Sequence, residues 1–300
     1  MRVTESIIYR GINSNLGRLN SDIQQLNQQI SSGKRLLLPS DDPVGAVSAQ
    51  AIRGRLTAMD QQKRNCEAWK GWLQSTESAM TETQDEVIIR ARELATQMNN
   101  STYSASQRTM AAEEVNNLLE EAVSLGNTQY GGRYIFSGFR DDTKAFEATR
   151  NGTGDITAVT YQGDDGHHEL KLGPSAKMES SLTGQEAFQG SADVFATLIN
   201  LRDALRANDP TAIAGTMADL QNCTANFSAK VADVGSKVNR LDLRVSIVAD
   251  TKLADTDRLS EIEDTDMIEA ITALQAKQLN YQAALQAAST TQQLNLASYL

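Results

Sequence analysis

His167 and His168 follow Asp164 and Asp165, and these four residues are the one group of potential metal ligands that the sequence places close together. Imidazole nitrogens and carboxylate oxygens both bind zinc and similar divalent metals. Adjacent histidines in a predicted hairpin, however, project to opposite faces of a strand and chelate one ion poorly. We therefore interpret this group as a solvated turn and predict no metal site.

Other residue types that could carry a reaction lack the partners that a reaction needs. Neither Cys66 nor Cys223 has a histidine nearby in sequence, and there is no glycine-rich phosphate loop. We expect two buried thiols, with one disulfide between them as the alternative. An acidic group surrounds a predicted helix start, where negative charge is favourable, and is interpreted as capping and solubilising: Glu261, Glu263, Asp264, Asp266 and Glu269. The sequence thus predicts no enzyme and no cofactor.

The composition favours long helices over a compact enzyme core. Of 300 residues only 5% are aromatic and four are proline. The net charge of −10 argues against nucleic-acid binding, which requires a basic face. The first residues contain no apolar signal segment, and no window approaches about 18 consecutive apolar residues. We expect neither a cleaved secretory signal nor membrane insertion, although a non-cleaved export route would leave the same absence.

A heptad pattern near the N-terminus predicts a helix that needs a partner. Its apolar residues recur in steps of four and three, and we name them the N-terminal seam: Ile12, Leu16, Leu19, Ile23, Leu26 and Ile30. Such a helix is marginal alone, because helices gain most of their stability from burying one face. The seam must therefore be covered by another part of the chain or by neighbouring subunits.

A second helix of similar pattern lies at the C-terminal end. Its predicted apolar positions are named the C-terminal seam: Ile271, Leu274, Tyr281, Leu285 and Ala288. Few charges flank it, which suits packing among many similar helices. Either the two terminal helices pair within one monomer, or they stay loose until they polymerise with other subunits; we favour the second.

Between the terminal helices the pattern predicts two long helical rods. The signature turn Pro39, Ser40, Asp41, Asp42 and Pro43 ends the first helix and restarts a second at Pro43, with Asp42 as N-cap. That helix is predicted to continue to about Asn99, with heptad positions at Met59, Cys66, Leu73, Met80, Val87 and Leu94. Trp69 and Trp72 on this rod are interpreted as packing residues.

The second rod has the strongest period in the chain, in steps of four and three throughout: Ile213, Met217, Leu220, Thr224, Phe227, Val231, Val234, Val238, Leu241, Val245 and Val248. We expect the two rods to pair antiparallel. Between them the residues alternate in polarity as in strands, with Gly163–Gly166 as a predicted hairpin turn.

The predicted fold is mainly α with a small β-rich insertion, in which terminal helices form coiled-coil-like pairs, long antiparallel rods follow, and the β domain lies at the tip. The predicted divisions are an N-terminal assembly helix and turn, a first rod half, a β-rich outer domain, a second rod half and a C-terminal assembly helix: residues 1–40, 41–132, 133–190, 191–260 and 261–300.

Several short motifs resemble the flagellin superfamily. Residues 30–43, from Ile30-Ser31-Ser32-Gly33 to the signature turn, resemble its N-terminal signature, and Arg92-Glu93-Leu94-Ala95 fits the superfamily generally. The paired Pro39 and Pro43 and the run from Gly132 to Gly138 favour the hook–filament junction members over the filament flagellins. The last seven residues, 294–300, resemble the junction members' ending.

The resemblance implies a structural role outside the cell, at the junction between the flagellar hook and filament. It implies export through the flagellar type III channel without a cleaved signal peptide. Implied partners are the first hook-associated protein, flagellin, copies of the chain in a ring, and an export chaperone on the C-terminal helix. A filament-forming flagellin, or a non-flagellar helical scaffold or export-apparatus component, remains an alternative.

Overall fold

The fold is mainly helical with a small β-rich insertion, as predicted. A computed structural model describes residues 2–173 and 176–297; Ser298, Tyr299 and Leu300 of the predicted family ending lie outside this range. The chain divides into two compact units. Unit 1 contains residues 1–60 and 249–300, and unit 2 contains residues 61–248.

Eight α-helices are found among the described residues. They are α1 Arg2–Ser32, α2 Pro43–Glu82, α3 Arg90–Met98, α4 Ala105–Gly126, α5 Gly184–Phe188, α6 Val194–Arg206, α7 Pro210–Glu263 and α8 Met267–Ala297. A π-helical segment, Thr83–Ile89, separates α2 from α3, so the predicted continuous rod to about Asn99 is interrupted. The heptad positions on either side of this segment stay buried, which is why the sequence pattern gives no sign of it.

The long helices α2 and α7 run antiparallel. In unit 2, Lys70 Nζ lies 2.6 Å from Asp242 Oδ1, and two heptads further along, the Ser228 hydroxyl donates to Gln84 Oε1 at 3.3 Å. The predicted heptad residues are buried on both helices: Cys66, Leu73 and Met80 of α2, and Leu220, Phe227, Val234 and Leu241 of α7. Both cysteines are buried and free, as expected, and burial raises the pKa of the Cys223 thiol to about 11.

Three two-stranded antiparallel sheets lie among the described residues of unit 2. They pair β1 Gln129–Tyr130 with β2 Arg133–Tyr134, β3 Phe146–Arg150 with β4 Ile156–Tyr161, and β5 Glu169–Lys171 with β6 Lys177–Glu179. The predicted hairpin at Gly163–Gly166 would pair β4 with β5 and is therefore wrong. Instead, β4 pairs with the preceding strand β3, and β5 pairs with the following strand β6. Alternating polarity marks a strand but does not select its partner.

The loop at Gly163–Gly166 has a different role from a hairpin turn. Asp164 Oδ1 accepts hydrogen bonds from the backbone N–H of Phe139 at 2.8 Å and of Gly166 at 3.0 Å. These bonds hold the pKa of Asp164 below its usual value. The interpretation of His168 as a solvated turn residue is also wrong, since its ring lies 5.0 Å from the Phe139 ring and 5.4 Å from the Trp69 ring.

The core of unit 2 centres on five phenylalanines from different elements. They are fully buried: Phe136, Phe146, Phe188, Phe195 and Phe227. The Phe188 ring, on the short helix α5, lies within 5.4 Å of the other four ring centroids. The core therefore joins the β insertion to the helices α5, α6 and α7 of the same unit.

Candidate assembly site

The terminal helices α1 and α8 of unit 1 pack against each other within one chain. They run antiparallel, and Lys277 Nζ of α8 lies 2.7 Å from Asp22 Oδ2 of α1. Every residue of the N-terminal seam is partly buried, whereas most positions between them are exposed. The seam thus marks the face of α1 that meets α8.

The covered face of α8 differs from the predicted C-terminal seam. Its buried or partly buried positions fall mostly in steps of four and three: Ala270, Ala273, Leu274, Lys277, Tyr281, Ala284 and Ala288. Ile271 and Leu285 lie one residue away from this face and are 42% and 45% exposed. Small alanine side chains let two helix backbones approach closely. The predicted C-terminal seam was chosen mainly from large apolar residues and therefore missed Ala270 and Ala284.

The α1–α8 pair buries little. No described side chain of α1 is buried, and Ala270 is the one buried side chain among those described in α8. Beyond its covered face, α8 exposes Ile268, Leu279, Ile271 and Leu285. A helix that is apolar on more than one side is typical of one with more than one helical neighbour.

The signature turn fixes the restart of the chain after α1. Gly33 has φ 71°, the left-handed conformation that ends a helix. Asp41 Oδ2 accepts from the backbone N–H of Leu38 at 2.9 Å. Asp42 Oδ1 accepts from the N–H of Gly45 at 2.9 Å, so the predicted N-cap of α2 is confirmed, and this bond lowers the pKa of Asp42.

The turn is fastened to the α7–α8 connection by a contact that we name the clasp, formed by residues 33–36 and 262–265. The Arg35 N–H donates to the Glu263 carbonyl at 2.6 Å, and the Thr265 N–H donates to the Gly33 carbonyl at 3.0 Å. Lys34 Nζ lies 2.5 Å from Asp264 Oδ1. That hydrogen bond raises the pKa of Lys34 and lowers the pKa of Asp264.

Glu263 connects the clasp to α2. Its carboxylate is only 4% exposed and lies 2.8 Å from Arg53 Nη2 and 3.6 Å from Lys34 Nζ. A buried carboxylate needs such cationic partners. The sequence interpretation of the acidic group as capping holds for Asp266, which accepts from the N–H of Ile268 at 2.9 Å, but misses the ion pairs of Glu263 and Asp264.

An open apolar cavity of about 540 Å³ lies beside the signature turn in unit 1, between residues 36–39 and the first turns of α2. Leu38, Val44 and Val47 nearby are 61%, 78% and 73% exposed. Exposed apolar groups gathered at one place are typical of an interaction surface.

Neither a metal site nor a membrane span is found among the described residues. No three histidine, cysteine, aspartate or glutamate side chains there are grouped closely enough to hold a metal ion. In the same residues, no helix combines the length and apolar character that a membrane span needs.

Two family models match the chain: the bacterial flagellin N-terminal helical region over residues 3–141 and the bacterial flagellin C-terminal helical region over residues 217–300. Flagellar hook-associated protein 3 of Escherichia coli strain K12 is 26% identical over 313 residues, covering 99% of this chain and 98% of the relative. The flagellar filament 30.7 kDa core protein of Treponema maltophilum is 25% identical, covering 84% of this chain and 85% of the relative.

Solved structures share the fold. A flagellar hook-associated protein from Vibrio parahaemolyticus superposes with a TM-score of 0.67 at 20% identity, covering 75% of this chain and 100% of that one. The flagellar junction protein from Legionella pneumophila gives a TM-score of 0.60 at 14% identity, covering 72% of this chain and 99% of that one. With both terminal regions matched, the chain belongs to the bacterial flagellin family.

Proposed function

We propose that this protein is a structural subunit of the bacterial flagellum that joins the hook to the filament and polymerises through its terminal helices. The observation that carries the proposal is the thinly buried α1–α8 pair, whose apolar surface extends beyond the face that the two helices share. The similarity to hook-associated protein 3 over nearly the full length of both chains supports the junction role over a filament role.

Assembly would use both faces of the terminal pair. The N-terminal seam and the covered face of α8 hold the pair together, and the exposed Ile268, Ile271, Leu279 and Leu285 offer a second apolar surface to neighbouring pairs. Burial of these side chains by neighbours would supply the free energy that the isolated pair lacks.

The clasp and the signature turn would set how the terminal pair leaves α2 and α7. Two backbone hydrogen bonds and the Lys34–Asp264 ion pair connect residues more than two hundred positions apart in sequence. A fixed exit of this kind lets every subunit present its terminal pair in the same way, as a closed ring requires.

The proposed partners follow from the junction role. Copies of the chain would form a ring, with the first hook-associated protein on one side and flagellin on the other. We also propose that the protein leaves the cell through the flagellar type III channel without a cleaved signal peptide, and that an export chaperone holds α8 beforehand.

Seeded growth separates the junction role from that of a filament flagellin. The purified chain, added to short filament seeds in place of flagellin, is expected to bind the seed ends and stop, because a junction subunit forms a layer of fixed extent. Electron microscopy measures the seed length, and purified flagellin is the elongating control. Continuous growth of long filaments from this chain alone would contradict the proposal.

A further inference from the structure

Both tryptophans of the chain belong to a second aromatic cluster in unit 2, apart from the phenylalanine core. The Trp69 and Trp72 rings of α2 lie 5.6 Å apart, and the Trp72 ring lies 6.2 Å from the Tyr130 ring of β1. The His168 ring lies 5.4 Å from Trp69. In contrast to the core, this cluster reaches the surface, since Tyr130 is 40% exposed.

The cluster walls a cavity of about 300 Å³, which we name the aromatic pocket; its lining includes Trp69, Trp72, Tyr130, Arg133, Asp141 and His168. This volume is at the lower end of the range that small-molecule sites occupy. Its walls combine ring faces with one ion pair, in which Arg133 Nη1 lies 2.9 Å from Asp141 Oδ2. The pocket therefore offers both stacking surfaces and planar charged groups.

The fold holds these walls in place. A Cβ added to Gly71 would clash with the Tyr130 hydroxyl oxygen, so a glycine on α2 leaves the space in which the tyrosine packs. Gly131 and Gly132, with φ 60° and 81°, form the tight turn that brings Arg133 back beside Tyr130. The backbone N–H of His168 donates to the Ser181 hydroxyl at 2.8 Å. A preformed site loses little conformational entropy on binding.

One buried polar group of the aromatic cluster is without a partner among the described residues. Trp72 is 7% exposed, and its Nε1–H is buried with no hydrogen-bond acceptor among the described residues. Buried indole nitrogens usually find an acceptor, so an unsatisfied donor at this position is unusual.

We propose that the aromatic pocket binds a pyranose sugar. The C–H face of a pyranose ring carries partial positive charge and packs against the negative face of an indole or phenol ring. Neighbouring hydroxyls of the sugar match the paired oxygens of Asp141 and the donors of Arg133.

Two other ligand classes fit these walls less well. A quaternary ammonium group would use the ring faces, but it has no hydrogen-bond donor or acceptor to offer the Arg133–Asp141 ion pair in the same wall. A wholly apolar ligand would desolvate the Arg133–Asp141 pair without offering it hydrogen bonds.

Intrinsic fluorescence tests the proposal directly, because the chain has two tryptophans and both line the pocket. Titration of the full chain with methyl β-D-galactopyranoside and methyl β-D-glucopyranoside is expected to give a saturable emission change with at least one of them, with a dissociation constant on the order of 1 mM. Sorbitol, which has the hydroxyls but no ring face, should give none.

Variants separate the pocket from the rest of the surface. Tyr130→Ala and Asp141→Asn should each weaken sugar binding about tenfold. Tyr9→Ala is the matched control, since Tyr9 of α1 is 38% exposed and does not line the pocket. Saturation-transfer NMR on the sugar gives a second readout that does not depend on tryptophan emission, and unchanged thermal unfolding verifies that each variant is folded.

The proposal is overturned if neither glycoside gives a saturable change in emission and neither shows saturation transfer. It is equally overturned if sorbitol gives the same response, or if choline chloride binds at least tenfold more tightly than both sugars. The sugar site is independent of the junction role, so the outcome of the sugar titrations does not affect the test by seeded growth.

Discussion

The double variant Leu19→Asp with Ile23→Asp is expected to abolish incorporation into the flagellum while unit 2 stays folded. Both residues belong to the N-terminal seam and are partly buried in the α1–α8 pair. Loss of this apolar burial costs the α1–α8 pair roughly 3 kcal/mol, which lowers the equilibrium constant for pairing of the two helices about a hundredfold. Two carboxylates at the same seam add a desolvation cost to every contact that assembly would make.

Motility and electron microscopy of a strain that carries the double variant as its sole copy measure incorporation. Near-ultraviolet circular dichroism of the purified protein reports on unit 2, which holds Trp69 and Trp72. The matched control is Asn20→Asp with Gln24→Asp, which adds the same charge to exposed positions of α1. The seam has no role in assembly if the seam variant and the control incorporate equally well.

Phe188→Ala is expected to cause the largest loss of stability of any single substitution considered. Its ring is fully buried and contacts the rings of Phe136, Phe146, Phe195 and Phe227. Removal of a buried phenyl ring costs about 3–5 kcal/mol through lost transfer free energy and the cavity left behind. For a unit of this size the melting temperature should fall by about 10 °C.

Urea unfolding followed by near-ultraviolet circular dichroism measures this loss in unit 2. Phe139→Ala is the matched control, because Phe139 is 58% exposed and lies outside the phenylalanine core; its free energy of unfolding should change by less than about 1 kcal/mol. A Phe188→Ala midpoint equal to that of Phe139→Ala would show that the five rings do not form the centre of the core.

The helical part of the fold could be predicted because burial repeats with a period that the sequence displays. The heptads of α2 and α7 placed Leu73, Met80, Leu220 and Phe227 correctly in the core. The π-helical segment Thr83–Ile89 could not be predicted in this way, since Val87 is buried there as it would be in an α-helix.

Contacts between residues that are distant in sequence were predicted less well. The strands pair as β3–β4 and β5–β6, and the alternating polarity of the sequence does not specify these pairs, so the predicted turn at Gly163–Gly166 failed. His168 lies among aromatic rings contributed by α2 and by the segment after β2. The residues next to His168 in sequence do not indicate these distant contacts.

The candidate assembly site shows the same division. Large side chains mark the N-terminal seam in the sequence, whereas Ala270 and Ala284 lie on the covered face of α8 although they are small. Lys34 and Asp264 are typical surface residues in sequence, and only the fold brings them to 2.5 Å. The sequence indicates the clasp only by charge, because the basic Lys34 and Arg35 follow α1 and the acidic Glu263 and Asp264 precede α8.

Amide hydrogen exchange, compared between the purified monomer and the assembled protein, tests the central claim that the terminal pair is completed by neighbours. Because α1 and α8 bury so few side chains, their amides should exchange rapidly in the monomer while the buried helices of unit 2 are protected. On assembly, exchange in α1 and α8 should slow strongly. Equal protection of these helices in the monomer and the assembly would contradict the account and would favour a self-contained scaffold.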